Sequence, residues 1–121
     1  MSKHVILVTK RFEVTERARR VASIEAMAAQ FELIARELAQ QIALEEKRCG
    51  VNDPSSVLYS TLANATAQRR ANLLKSAAEL RTKLVVAKHE YEQSQAELDA
   101  LQQTNQLLKK EEPTSLEALT T

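Results

Sequence analysis

The sequence predicts an all-α fold, two long helices forming an antiparallel coiled-coil hairpin, and three observations predict it. Ala, Leu, Gln, Glu, Lys and Arg fill most of the 121 positions, against one Gly, two Pro, two Phe, two Tyr and no Trp, and these are the residues that lose least on entering a helix. Two tracts place seam residues with alternating spacings of three and four, the pattern that winds helices around each other. One stretch between them, CGVNDPSSVLY at 49–59, carries both a stop and a restart.

The first tract runs Val21, Ile24, Ala28, Phe31, Ala35, Leu38, Ile42, with Val14 one heptad earlier and Arg17 interrupting the seam between them. The second runs Leu73, Ala77, Leu80, Leu84, Ala87, Tyr91, Ser94, Leu98, Leu101, Asn105, Leu108. Ser94 and Asn105 are polar members that set register, mark a partner-binding stretch or weaken packing. Extended backward, the second seam passes through Thr66 and Arg70; a shifted register would use Leu62, Ala65 and Leu73 instead.

In the interruption, Gly50 follows Lys47 and Arg48 as the left-handed residue of a helix C-cap would. Asp53 and Pro54 then supply an N-cap and a first helical residue. A connection this short places successive helices antiparallel. Residues 1–112 therefore read as one hairpin, with arm one at about 10–49, a tip at about 50–57 and arm two at about 58–112. The arms would be roughly 55 and 80 Å long at the helical rise. Pro113 ends the second arm, leaving 113–121 as a flexible C-terminal tail.

The apolar fraction of 44% leans on Ala, which suits a narrow seam better than a thick core. Seventeen Lys and Arg face sixteen Asp and Glu, a net charge of +1, so no global field points to nucleic acid. The charges are nonetheless uneven. Residues 1–20 carry six basic and two acidic side chains, 69–88 six and one, and 90–121 two and seven. The run Val5, Ile6, Leu7, Val8 is too short for a membrane span and lacks a cleavage signal, so the chain reads as soluble and without an export signal.

Nothing in the sequence assembles a catalytic, cofactor or metal site. His4 and His89 have no second ligand at helical spacing and read as surface residues. One glycine leaves no phosphate-binding loop, and a thin hairpin lacks depth for a small-molecule substrate. Cys49 is the only cysteine, which excludes an intrachain disulfide; it is an unpaired tip residue or a redox sensor beside Lys47 and Arg48. The dipeptides Arg19-Arg20 and Arg69-Arg70 are solvated faces or a surface that docks an acidic protein. Leu58 and Tyr59 either pack into the tip or contact a partner.

The ordered combination of IEAM at 24–27, the G-x-x-D-P tip at 50–54 and QRRANL at 68–73 resembles the alphaproteobacterial branch of the FliJ family of flagellar export proteins, over roughly residues 10 to 100. That resemblance implies a non-enzymatic coiled-coil stalk and adaptor of the type III export apparatus. It implies a place in the cytoplasm at the face of the flagellar basal body. The partners it implies are the hexameric export ATPase, a membrane export gate component and export chaperones. Arg17, Arg19, Arg20, Arg69 and Arg70 match the charged framework of this branch and become candidates for partner contact, and Asp53 and Pro54 match its tip. The opening VILV and the short acidic, Thr-containing tail depart from it. An export chaperone and a structural coiled-coil oligomer are the alternative readings.

Overall fold

The computed structural model describes the backbone of residues 2–120 and the side chains of residues 2–108. Among them are two α-helices and no strand: α1, Lys3–Cys49, and α2, Thr61–Thr120. They pair antiparallel as a helical hairpin, and the chain divides into two compact units, Met1–Val21 with Val86–Thr121 and Ala22–Val85.

The heptad pattern accounts for which residues are covered. On α1 the covered seam is Leu7, Lys10, Val14, Arg17, Val21, Ile24, Ala28, Phe31, Ala35, Leu38, Ile42 and Glu45. On α2 it is Ala63, Thr66, Arg70, Leu73, Ala77, Leu80, Leu84, Ala87, Tyr91, Ser94, Leu98, Leu101, Asn105 and Leu108. The three-four alternation is unbroken along both, so the register follows Thr66 and Arg70. The shifted alternative fails because Leu62 and Ala65 face solvent.

In the unit Ala22–Val85 the most deeply buried residues are mainly alanines: Ala28, Ala35, Ala63 and Ala77, with Leu38 and Leu84. Small side chains let two helix backbones approach, and dispersion contacts along the whole seam replace a few large buried groups. Arg70 uses the room this leaves, donating from Nε to the Ala35 carbonyl across the pair at 3.1 Å. On one flank Arg81 binds Glu32 at 2.6 Å and approaches Glu25 at 3.9 Å.

In the other unit Leu7, Val14 and Leu98 form a buried cluster, with Tyr91 and Leu101 packed against it. Ser94 is wholly buried, at 0% exposure. Its hydroxyl donates to the Tyr91 carbonyl at 2.8 Å, so a polar group enters the seam without an orphaned donor. Arg17 lies in the seam, donating to the Glu90 carbonyl at 3.2 Å and pairing with Glu13 at 2.8 Å. Lys10 bridges Glu13 and Glu97.

Three boundaries differ from the sequence expectation. The first helix begins at Lys3 and not near residue 10, because Ser2 accepts from Val5 N and Ile6 N and the apolar run places Leu7 one heptad before Val14. The second begins at Thr61 and not near 58. Ser60 is its N-cap, accepting from Ala63 N through its hydroxyl at 3.1 Å. Finally, the bounds of α2 carry the helix past Pro113 to Thr120. Proline's φ is close to helical, so passing it costs a backbone bond and a local clash, and does not compel an end. The flexible tail expected at 113–121 falls where the side chains, and at Thr121 the backbone, lie outside the described residues.

Candidate interaction surfaces

The loop between the helices is built by short-range hydrogen bonds. Gly50 takes φ of +75° and donates to the Glu46 carbonyl at 2.9 Å, which satisfies one of the carbonyls left open at a helix end. A Cβ at Gly50 would meet open space, so the backbone conformation alone calls for glycine there. Asp53 caps a single turn and not a helix. Its Oδ1 accepts from Ser55 N at 3.0 Å and Ser55 Oγ at 2.7 Å, and its carbonyl accepts from Ser56 N. Pro54 presets the second residue of that turn. The two hydrogen bonds from Ser55, the hydroxyl's foremost, hold the Asp53 carboxyl below its usual range.

Two side-chain links tie the loop back to α1. Tyr59 donates to Glu46 Oε2 at 2.9 Å, and Ser60 donates to Glu45 Oε1 at 2.8 Å. Arg48 and then Ser60 draw the Glu45 carboxyl down to about 2. Burial, reinforced by the Glu46 carboxylate, raises the Tyr59 phenol. Ser60 therefore caps α2 and binds the last turns of α1 with one hydroxyl.

The candidate residues separate on this geometry. Tyr59 packs into the loop, whereas Leu58 is 78% exposed. Beside it in the chain, Val57 is fully exposed, and Leu44 and Leu62 are 68% and 62% exposed. Leu44 and Leu62 line a shallow groove of about 320 Å³ with Gln41, Glu45, Arg48 and Thr66. Leu44 and Leu62 escaped the sequence reading because Leu44 is off the seam and Leu62 was weighed only as a shifted seam member. Continuing the second heptad tract back to Ala63 is the signal that exposes Leu62.

Of the five candidate arginines, Arg17 and Arg70 are engaged across the helix pair by the Glu90 and Ala35 carbonyls. Arg19 is exposed and pairs with Glu16 at 2.6 Å. Arg20 and Arg69 are exposed and make no ion pair among the described residues. The two dipeptides belong to different units. Each thus offers one outward cation and one residue that is either internally paired or locally paired.

His4 and His89 are both exposed. Cys49 is exposed, receiving Arg48 Nη2 at 3.4 Å and donating to Glu45 Oε1 at 3.5 Å. No group of three metal-binding side chains occurs among the described residues, and no helix there is long and apolar enough to cross a membrane. The groups at hand suit contact with another macromolecule: exposed leucines and valine at the loop, and solvated guanidinium groups along the helices. The chain matches no protein-family model, no curated protein and no solved structure at a significant level.

Proposed function

We propose that the protein is a structural coiled-coil element whose two helices hold each other and leave their outer faces and connecting loop to partners. One observation carries this reading: the seam on each helix is unbroken, and Lys10, Arg17, Glu45, Thr66, Arg70 and Ser94 within it find partners in the chain. Such a pair needs no further subunit to cover its seam, so assembly with other proteins draws on surfaces such as Leu44, Leu58, Leu62, Arg20 and Arg69.

A finer form of this proposal is a stalk and adaptor of flagellar type III export that binds the export ATPase ring, the export gate and export chaperones. Its support is the likeness of IEAM, the G-x-x-D-P loop and QRRANL, in that order, to the FliJ family. Arg19, Arg20 and Arg69 are the arginines to alter in its test, since Arg17 and Arg70 belong to the seam.

The test titrates the cognate flagellar export ATPase with the native chain and with Arg19→Glu/Arg20→Glu/Arg69→Glu, following steady-state hydrolysis while circular dichroism checks the fold. Stimulation by the native chain alone supports the stalk and its basic surface. If neither chain binds or alters hydrolysis, the export reading falls and the general structural element remains, to be followed by its self-association in sedimentation.

A further inference from the structure

Four seam positions carry charge, Lys10, Arg17 and Glu45 on α1 and Arg70 on α2. A formal charge between helices is costly unless it is paired, and each of the four finds a partner on the other side. Lys10 binds Glu97 of α2. Arg17 reaches the Glu90 carbonyl of α2 at 3.2 Å. Glu45 accepts from Ser60, the cap of α2, at 2.8 Å. Arg70 reaches the Ala35 carbonyl of α1 at 3.1 Å.

A regular heptad seam does not by itself choose a partner. Either helix could pair in parallel with the same helix of a second chain, because a strict three-four repeat is complementary to itself. In that arrangement each seam residue meets its own copy. Lys10 would face Lys10, Arg17 would face Arg17, Glu45 would face Glu45, and Arg70 would face Arg70. The cross-helix acceptors would be gone and only the same-helix partners Glu13 and Arg48 would remain, leaving like charges face to face in a mostly apolar seam.

We infer that Lys10, Arg17, Glu45 and Arg70 are a pairing code that reserves each helix for the other, antiparallel, and bars it from parallel pairing with its own copy. The apolar seam supplies attraction and the charged positions supply selectivity, in the way polar seam residues and repulsive pairs exclude competing coiled coils. Any assembly of several copies then uses the outer faces and leaves both seams closed. This inference stands on the seam geometry and does not depend on the export reading.

The test replaces Lys10, Arg17 and Arg70 together by Leu in the full chain and compares mass by sedimentation with the native protein. The expected result is that the variant dimerises at a concentration roughly ten-fold lower or less, one decade for each 1.4 kcal/mol of repulsion removed. Orientation is read from nitroxide labels at Thr15→Cys and, separately, Thr82→Cys, each in a Cys49→Ser background. A parallel dimer brings each label near its own copy at both positions; an antiparallel exchange of helices between chains does not. If the Leu variant precipitates, Lys10→Gln/Arg17→Gln/Arg70→Gln removes the charges while keeping the seam polar, and the same shift is expected. Unchanged mass in a folded variant, only the antiparallel label pattern, or a parallel dimer already formed by the native chain would each overturn the inference.

Discussion

Tyr59 donates its phenolic hydrogen to Glu46 across the loop at 2.9 Å, joining the end of the loop, two residues before α2, to the last turn of α1. Tyr59→Phe removes this bond and little else. The expected loss is about 0.5–1.5 kcal/mol, as for one hydrogen bond, read from urea denaturation. The same contact has an alkaline signature. Because folding raises the phenol, its contribution is present below the ordinary tyrosine range near 10 and is lost as pH rises through the folded-state value. Tyrosine absorbance in the phenolate band should show an ionisation step above the ordinary tyrosine range, and Tyr59→Phe should remove that step.

Glu45 predicts the acid limb. Its carboxyl is drawn from 4.5 to about 2 by Arg48 and Ser60. A depressed carboxylate stabilises the fold above its unfolded value, and that contribution is lost as pH falls from about 4.5 through about 2. Glu45→Gln should flatten melting temperature against pH over this window compared with the native chain. A curve of unchanged slope would assign the acid response to other carboxylates, among them Asp53 and Glu32, which are also held down.

Gly50 predicts a backbone effect without a packing effect. Its φ is +75°, and apart from its chain neighbours nothing lies within 4 Å of where a Cβ would sit. Gly50→Ala should cost roughly 1–2 kcal/mol, the left-handed penalty for a side chain. Gly50→Asn should cost less, since asparagine visits that region more readily. Equal losses in the two variants would point to a contact in place of a conformational cause.

Ser94 separates polarity from size. Its hydroxyl bonds only within its own helix, to the Tyr91 carbonyl, so Ser94→Ala should leave stability unchanged or raise it slightly. Ser94→Leu forces a large group into a position with no exposed surface and should cost about 1–3 kcal/mol. Thermal unfolding of the two variants checks both halves.

The fold was legible because a heptad seam is a property of spacing, and the spacing from Val21 to Ile42 and from Leu73 to Leu108 is regular. The seam at each tract's outer end was harder to read, because Lys10, Arg17, Thr66 and Arg70 break the apolar pattern without breaking the geometry. What keeps the three cations there is a set of acceptors on the opposite helix, two of them backbone carbonyls, while Thr66 bonds back to the Leu62 carbonyl of its own helix, and a carbonyl has no signature in a sequence. The loop shows a similar limit. Asp53-Pro54 has the composition of a helix start, yet Ser60 takes that role, its hydroxyl also binding Glu45 fifteen residues earlier. Among the candidate surface residues, Leu58 stayed outward and Tyr59 turned inward because only the tyrosine could reach a carboxylate.

The antiparallel pairing also orders events in time. Links between the helices span 13 residues at Tyr59–Glu46, 35 at Arg70–Ala35, 49 at Arg81–Glu32, 73 at Arg17–Glu90 and 87 at Lys10–Glu97. Closing the longest of these first would cost roughly 2 kcal/mol more chain entropy than closing the shortest, at about 0.6 kcal/mol per doubling of loop length. Once the contacts beside the loop exist, every later one is a short local step. Chain entropy therefore favours zippering that starts at Glu45, Glu46, Tyr59 and Ser60 and finishes at Lys10 and Glu97, and it favours opening in the reverse order.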